Sequence, residues 1–359
     1  MLVFRTADLT LFAMSSPVSF CIRLALAGCA AAPVALRAWD YAGHRIVNEL
    51  ALASLPSDFP AFVRAPAAAE RIAFLAGEPD RWRNTSDLPF HHVNGLDHYL
   101  DVEELALAGI DVGTLTPFRY AFVAQFAAGR AAHPDKFRPI DPARNLDHSR
   151  EWPGFAPWAV AENYGRLKSA FSYLRAFEEL GTPEEVANAQ ANVLYVMGVL
   201  GHYVGDLAQP LHTTVYHNGW FGPNPQGYTT WNGFHSWIDG GFIAKAGITA
   251  AEIAPRVKRA RAIRLTPRPD GRDPVFVAVV AYLLKQHAQV EPLYKLEQAG
   301  KLNRDDRPAD AQGRAFIAGQ LRQGGEMLGA LWLTAWRTAA PDTFLHAQLL
   351  KRRAEAGEK

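Results

Sequence analysis

Residues 182–209, TPEEVANAQANVLYVMGVLGHYVGDLAQ, constrain the fold more than any other stretch. Thr182 offers an N-cap hydroxyl, Pro183 takes the first helical position and Glu185 stands three residues after the cap, so the segment opens with a capping box. Val186, Val193, Met197 and Leu200 then recur at helical spacing. Pro210 lacks an N–H and clashes with the preceding turn, so it disturbs or ends the helix. Segments 157–180, 274–298 and 313–336 show similar periodicity, and nothing alternates with period two for long enough to make a sheet. Long helices joined by short polar stretches predict one all-α domain over residues 39–359.

Composition narrows what such a domain does. With 49% hydrophobic and 20% charged residues the chain can bury a core and is neither disordered nor fibrous. A formal net charge of +1 gives no bulk basic field to attract nucleic acid, so any polyanion chemistry must be local.

Residues 1–38 read as an export signal. From Met14, a possible alternative start, MSSPVSFCIR makes a short n-region with Arg23, and LALAGCAAAPVAL makes an apolar h-region. Small Ala38 then precedes Trp39, the expected mature N-terminus, which makes the protein secreted or periplasmic. Cleavage there removes both cysteines, Cys21 and Cys29. It also takes Arg5, Asp8, Arg23 and Arg37, a net +2 out of +1, leaving −1. LAGC at 26–29 resembles a lipoprotein box, but only five apolar residues separate Arg23 from Cys29, so anchoring there is the weaker reading. No later segment offers the roughly 20 uninterrupted apolar residues of a membrane span.

Two stretches break the helical pattern. Residues 133–157 carry five prolines and many charges, and 216–236 are rich in glycine and aromatics. Loops of such length are usually functional or disordered. The tail KRRAEAGEK is expected to be a charged, frayed end.

The 182–209 helix also carries chemistry. His202 and Asp206, at i and i+4, project from one face and can grip one ion. Beyond Pro210, His212 can point to a neighbouring metal. A single His-x3-Asp is more often a hydrogen-bonded core pair than a metal site, but this one does not stand alone. His235 and Asp239 repeat the spacing, LDHYLD offers His98, EPDRWR offers Asp80, and WDYAGHR offers His44.

Trp39, Gly43-His44, Asp80, His98-Tyr99, His202-x3-Asp206-x5-His212 and His235-x3-Asp239 together resemble the ligand set of the zinc-dependent type I nucleases of fungi and plants. These single-strand-specific enzymes share an all-helical fold with bacterial zinc phospholipase C. The resemblance spans residues 39–239; from Gly240 onward only helix pattern remains.

Carried over by position, the resemblance implies three Zn²⁺. Asp80, His98, His202 and Asp206 would hold the first, His212, His235 and Asp239 the second. The third would take the α-amine and carbonyl of Trp39 with His44 and a shared Asp206, which makes signal removal part of activation. Three zincs bring about six positive charges against three from Asp80, Asp206 and Asp239, so the cleft would attract a phosphodiester. Imidazole and carboxylate suit zinc, and such a centre can activate water for in-line attack and stabilise the departing oxygen. The implied catalytic residues are Asp80, Arg83 and Asp206, with Arg83 contacting phosphate through its forked donors. Tyr99 takes the place of an aromatic on which a base stacks, and Asp101 would contact the base edge.

The activity so implied is an endonuclease that cleaves single-stranded DNA and RNA to 5′-phosphate products, with a 3′-nucleotidase side activity and no stable protein partner. Two alternatives stand beside it. Phospholipase C enzymes typically end the ligand set with Glu after a shorter gap, whereas Asp239 and the 23-residue step from His212 to His235 favour the nuclease. A non-catalytic zinc-stabilised binding protein would have its site closed to water. Departures are Asp40 where the family commonly has glycine, and a longer 99–201 segment whose 133–157 loop could cover the cleft. His91 and His92 are adjacent and point different ways. His217 lies near the site, and His133, His148, His287 and His346 lack partner motifs, so all seven are left out of the ligand set.

Overall fold

The capping box at Thr182 forms as expected: Glu185 N donates to Thr182 Oγ1 at 3.3 Å and Thr182 N donates to Glu185 Oε2 at 2.9 Å. From it the helix Pro183–Ala208 runs 26 residues and stops at Gln209, before Pro210. His212 consequently sits on a separate 3₁₀ turn, Pro210–Thr213.

The computed structural model describes residues 41–357. The expected signal segment, its boundary, both cysteines, Trp39 and Asp40 lie outside the described residues. Among the described residues there is no strand, and the chain is all-α as the periodicity predicts. No helix among them is long and apolar enough to cross a membrane.

The 183–208 helix is the centre of the packing. Helices Ala156–Leu180, Ala311–Thr338, Pro66–Leu75 and Tyr41–Ser54 surround it. Every residue from Met197 to Ala208 is buried, so the end bearing His202 and Asp206 is enclosed on all sides. Trp158, Phe171, Phe276 and Trp332 fill the space between helices with almost no exposure. Each such side chain contributes roughly 1.5–3 kcal/mol of burial.

Close helix approach depends on small residues at two places. A Cβ on Gly325 would meet Leu50 Cβ at 2.5 Å, which lets the 41–54 and 311–338 helices lie against each other. A Cβ on Gly201 would run into Asn48 Oδ1. Asn48 uses that closeness to donate to Gly198 O at 3.2 Å and Ile72 O at 2.9 Å, joining three helices beside the site.

Two expectations are corrected. Residues 274–298 form two helices, Pro274–His287 and Val290–Gln298. Pro292 supplies no N–H to Ala288 and its ring clashes with that carbonyl, so one helix cannot run through. The tail is not frayed from residue 351: helix Thr343–Glu355 takes in residues 351–355, and Arg352 forms a two-pronged pair with Glu185 at 2.7 and 2.9 Å. Arg353 also donates to Glu179 O at 3.2 Å.

The irregular stretches are where the sequence places them. Residues 133–157 hold only short 3₁₀ turns before the long helix begins at Ala156. Residues 216–233 carry Gly219, Gly222 and Gly227 at positive φ, and the next helical run, 234–246, widens to a π turn over Trp237–Gly241.

Candidate metal centre

Asp206 is the hub of the site. Its Oδ2 lies 3.0 Å from His98 Nδ1 and 3.3 Å from His202 Nε2. Its Oδ1 lies 3.5 Å from His44 Nε2 and 3.6 Å from His212 Nδ1. The two oxygens of one buried carboxylate therefore address two different sets of imidazoles, the arrangement of a group that can bridge two cations.

Four more elements join the 183–208 helix, which carries His202 and Asp206, and the 210–213 turn, which carries His212. His44 comes from the 41–54 helix, Asp80 from helix Glu78–Arg83, and His98 from the 3₁₀ turn Leu96–His98. His235 and Asp239 come from the 234–246 run, Asp239 on its π turn, a feature frequent at functional sites. Two hydrogen bonds fix two of the segments that meet here: Leu100 N donates to His212 O at 3.0 Å, and the His212 side chain donates through Nδ1 to His98 O at 2.8 Å.

Three groups of side chains could hold metal ions: Asp80, His98 and His202; His44, His202 and Asp206; His212, His235 and Asp239. Within each group the ligand atoms lie within 4.8 Å of one another. All eight expected side-chain ligands are thus assembled, and the ninth, Trp39, lies outside the described residues.

The ring nitrogens fit cations. His202 Nδ1 donates to Ala76 O at 2.6 Å and His212 Nδ1 to His98 O, so each ring turns Nε2 inward as a lone pair. His202 Nε2 faces His98 Nδ1 at 2.9 Å, and His212 Nε2 faces His235 Nε2 at 3.0 Å. Two ligands on one tetrahedral zinc stand about 3.3 Å apart, so each of these pairs is close enough to share one ion. His44 Nε2, both Asp206 oxygens and Asp239 Oδ2 are buried without a hydrogen-bond partner, a costly state that a cation relieves.

Titration behaviour follows from burial and charge. Burial pushes His44 and His235 well below the ordinary imidazole range, His98 down to about 4, and His212 downward. Neutral imidazole is the ligating form. Burial also acts on His202, but Asp206 and Asp80 outweigh it and raise that group. Burial opposes the charge on Asp206 too, and His202, His212 and His98 overcome it, holding the carboxyl well below the usual range. For Asp239 burial prevails over the Gln209 hydrogen bond and the Arg83 charge and drives the carboxyl well upward.

The cleft has one accessible side. Asp80 and Arg83 are each 14% exposed and His235 12%, whereas His44, His98, His202 and Asp206 are fully enclosed. Arg83 Nε lies 2.9 Å from Asp80 Oδ1, and its charge reaches His98, His212, His235 and Asp239. Tyr99 and Asp101 follow His98 and are half-buried. Neither joins a metal group. Burial with Glu104 and Glu103 nearby pushes the Asp101 carboxyl well up.

Sequence reasoning missed Gln209. It is fully buried, donates through Nε2 to Asp239 Oδ1 at 2.7 Å, and accepts from Leu211 N through Oε1 at 2.7 Å. The available signal was its place midway between Asp206 and His212. The histidines left out stay outside the metal groups. His91 Nδ1 and His92 Nδ1 both reach Asp147, His148 pairs with Glu151, His287 Nδ1 donates to Thr213 O, and His346 pairs with Glu179. His217 comes nearest, its ring 5.7 Å from that of His235.

No protein-family model matches the chain, and no curated protein matches it.

Proposed function

We propose that this chain is a secreted or periplasmic zinc-dependent phosphodiesterase that cleaves single-stranded nucleic acid, holding three Zn²⁺ when mature. The observation that carries the reading is the pair of Asp206 oxygens turned to different imidazole sets, since one buried carboxylate shared this way suits a multinuclear centre. Asp80, His98 and His202 would hold one ion with Asp206. His212, His235 and Asp239 would hold a second, and His44 with Asp206 and the α-amine of Trp39 a third.

Bound zinc would supply Lewis acidity toward a phosphoryl oxygen and acidify a water nucleophile. The protein's own part is positioning. Arg83, at the accessible edge beside Asp80, can clamp a non-bridging phosphate oxygen through its forked donors. Asp206 keeps the imidazoles at fixed distances, and Gln209 aims Asp239 Oδ2 inward by occupying Oδ1. Tyr99, one residue beyond His98, is the candidate for stacking a base, with Asp101 for its edge. The opening at Asp80, Arg83 and His235 favours catalysis over a sealed structural site.

Metal analysis of mature protein alongside hydrolysis of single-stranded DNA, RNA and phosphatidylcholine tests the proposal. Close to three zincs per chain are expected, with nucleic acid cleaved far faster than lipid. Faster lipid turnover would move the assignment to phospholipase C, and zinc without hydrolysis would leave a binding protein.

A further inference from the structure

The 133–157 segment is attached to two elements that lead to residues of the metal groups. On one side Asp147 Oδ2 lies 2.7 Å from His91 Nδ1, and Asp147 O accepts from His92 Nδ1 at 2.7 Å. Both histidines belong to helix Leu88–Gly95, which leads directly into the turn that carries His98. On the other side the Arg138 guanidinium lies 3.7 Å from the centre of the Phe221 ring. Phe221 packs on Tyr216 at 4.8 Å, and Tyr216 stacks on Trp220 at 4.0 Å with 3° between planes. This aromatic column belongs to the loop that leaves His212.

The segment is also held along its length. Arg130 Nη1 donates to Glu151 O at 3.1 Å, Asp101 N donates to Pro153 O at 2.7 Å, and Phe155 N donates to Leu96 O at 2.7 Å. Phe137 is buried and packs on Phe126 at 6.0 Å. Ala156 N also donates to Tyr99 O at 3.1 Å, so the segment runs past Tyr99 and Asp101.

The segment is thus a strap that joins the element leading into His98 to the loop leading out of His212, while Asp80, Arg83 and His235 are the partly exposed members of the site. We propose that the 133–157 strap makes the cleft blind at one end, so that the enzyme works on strand termini and short nucleotides rather than at internal positions of a long strand. The inference rests on the phosphodiesterase reading and replaces the endonuclease expectation drawn from the sequence with action from strand ends. Arg138 and Asp147 are the specificity-determining residues. Each fastens the strap, and neither belongs to a metal group.

The test uses three substrates with zinc-loaded mature protein: a linear single strand, a covalently closed circular strand of the same sequence, and bis(p-nitrophenyl) phosphate, which has no bases. The wild type should shorten the linear strand to mononucleotides from an end and cut the circle at least about tenfold more slowly, a factor that corresponds to about 1.4 kcal/mol. The Arg138→Ala/Asp147→Ala double variant should cut the circle faster while turnover of the small diester stays constant. Equal wild-type rates on circle and line would overturn the strap, as would a double variant whose circle-to-line ratio is unchanged. The wild-type comparison needs no variant and decides the matter even if the double variant fails to fold. Failure to hydrolyse the small diester would instead overturn the phosphodiesterase reading itself.

Discussion

Gln209 donates to Asp239 Oδ1 at 2.7 Å, which leaves Asp239 Oδ2 as the oxygen facing His235 Nε2 at 3.1 Å. One amide thus decides which oxygen of a neighbouring helix turns toward the metal group. Removing such an outer partner typically weakens metal binding about 10–100-fold. Gln209→Leu should lower the affinity of the His212, His235 and Asp239 group by that factor while the other groups stay loaded. Competitive zinc titration against a chelator of known affinity measures it, and an unchanged binding profile would show that Asp239 needs no such hold.

Asp206 and Asp101 should separate metal binding from substrate choice. Asp206→Asn keeps the volume and removes the charge that faces His44, His98 and His202. Zinc content and hydrolysis should both collapse, with activity down by orders of magnitude. Asp101→Asn should leave zinc content at the wild-type level and shift the ratio of turnover between substrates with different bases. Full zinc and full turnover in Asp206→Asn would dismantle the shared-carboxylate assignment.

Processing should matter to chemistry. If the α-amine of Trp39 holds the proposed third ion, a chain that keeps an extra Met ahead of Trp39 presents an amide there instead. It should bind one zinc fewer, retain its helical circular dichroism, and hydrolyse substrate more slowly by orders of magnitude. Metal binding displaces the ammonium proton, so occupancy of that site should fall first as pH drops below neutrality. N-terminal sequencing of exported protein should read Trp39, and a lipid-bearing Cys29 start with full activity would refute both the amine ligand and the soluble localisation.

Acid should loosen the C-terminal helix before the core. Hydrogen bonds from Arg352 and from Thr182 N hold the Glu185 carboxyl down to about 2 from 4.5. A depressed carboxyl contributes stability above its unfolded value and loses it as pH falls through the folded one, so the window lies between about 4.5 and 2. The Glu185–Arg352 pair lies at the surface, with the Glu185 side chain 30% exposed, and solvent screening keeps the effect small. Hydrogen exchange in Thr343–Glu355, corrected for intrinsic rates, should speed up across that window. Glu185→Gln should abolish the dependence, and its persistence would assign the tether elsewhere.

What the sequence by itself determined is what local chemistry determines. The capping box at Thr182, the stop before Pro210 and the period-3.6 apolar positions required an all-α chain, because caps and prolines act within a few residues. The i, i+4 spacings of His202 with Asp206 and of His235 with Asp239 placed each pair on one helical face, and the pairs stand at 3.3 and 3.1 Å. Adjacency alone predicts that His91 and His92 point different ways, and the fold corrects this, since both rings turn to Asp147, although neither joins a metal group. Tertiary structure decided what depends on distant partners. Which Asp206 oxygen meets His98 and which meets His44 is fixed by the way the 41–54 helix, the 96–98 turn and the 183–208 helix pack, and no spacing within one segment encodes it. The break at Ala288 was legible in Pro292 and yet masked by continuous apolar periodicity. The charged tail looked free because Glu185, its partner, lies 167 residues away. Gln209 and the Asp147 and Arg138 anchors were silent for the same reason. A hydrogen bond or stacked cation between remote segments leaves no periodicity in the chain, so only the fold that brings its two ends together reveals it.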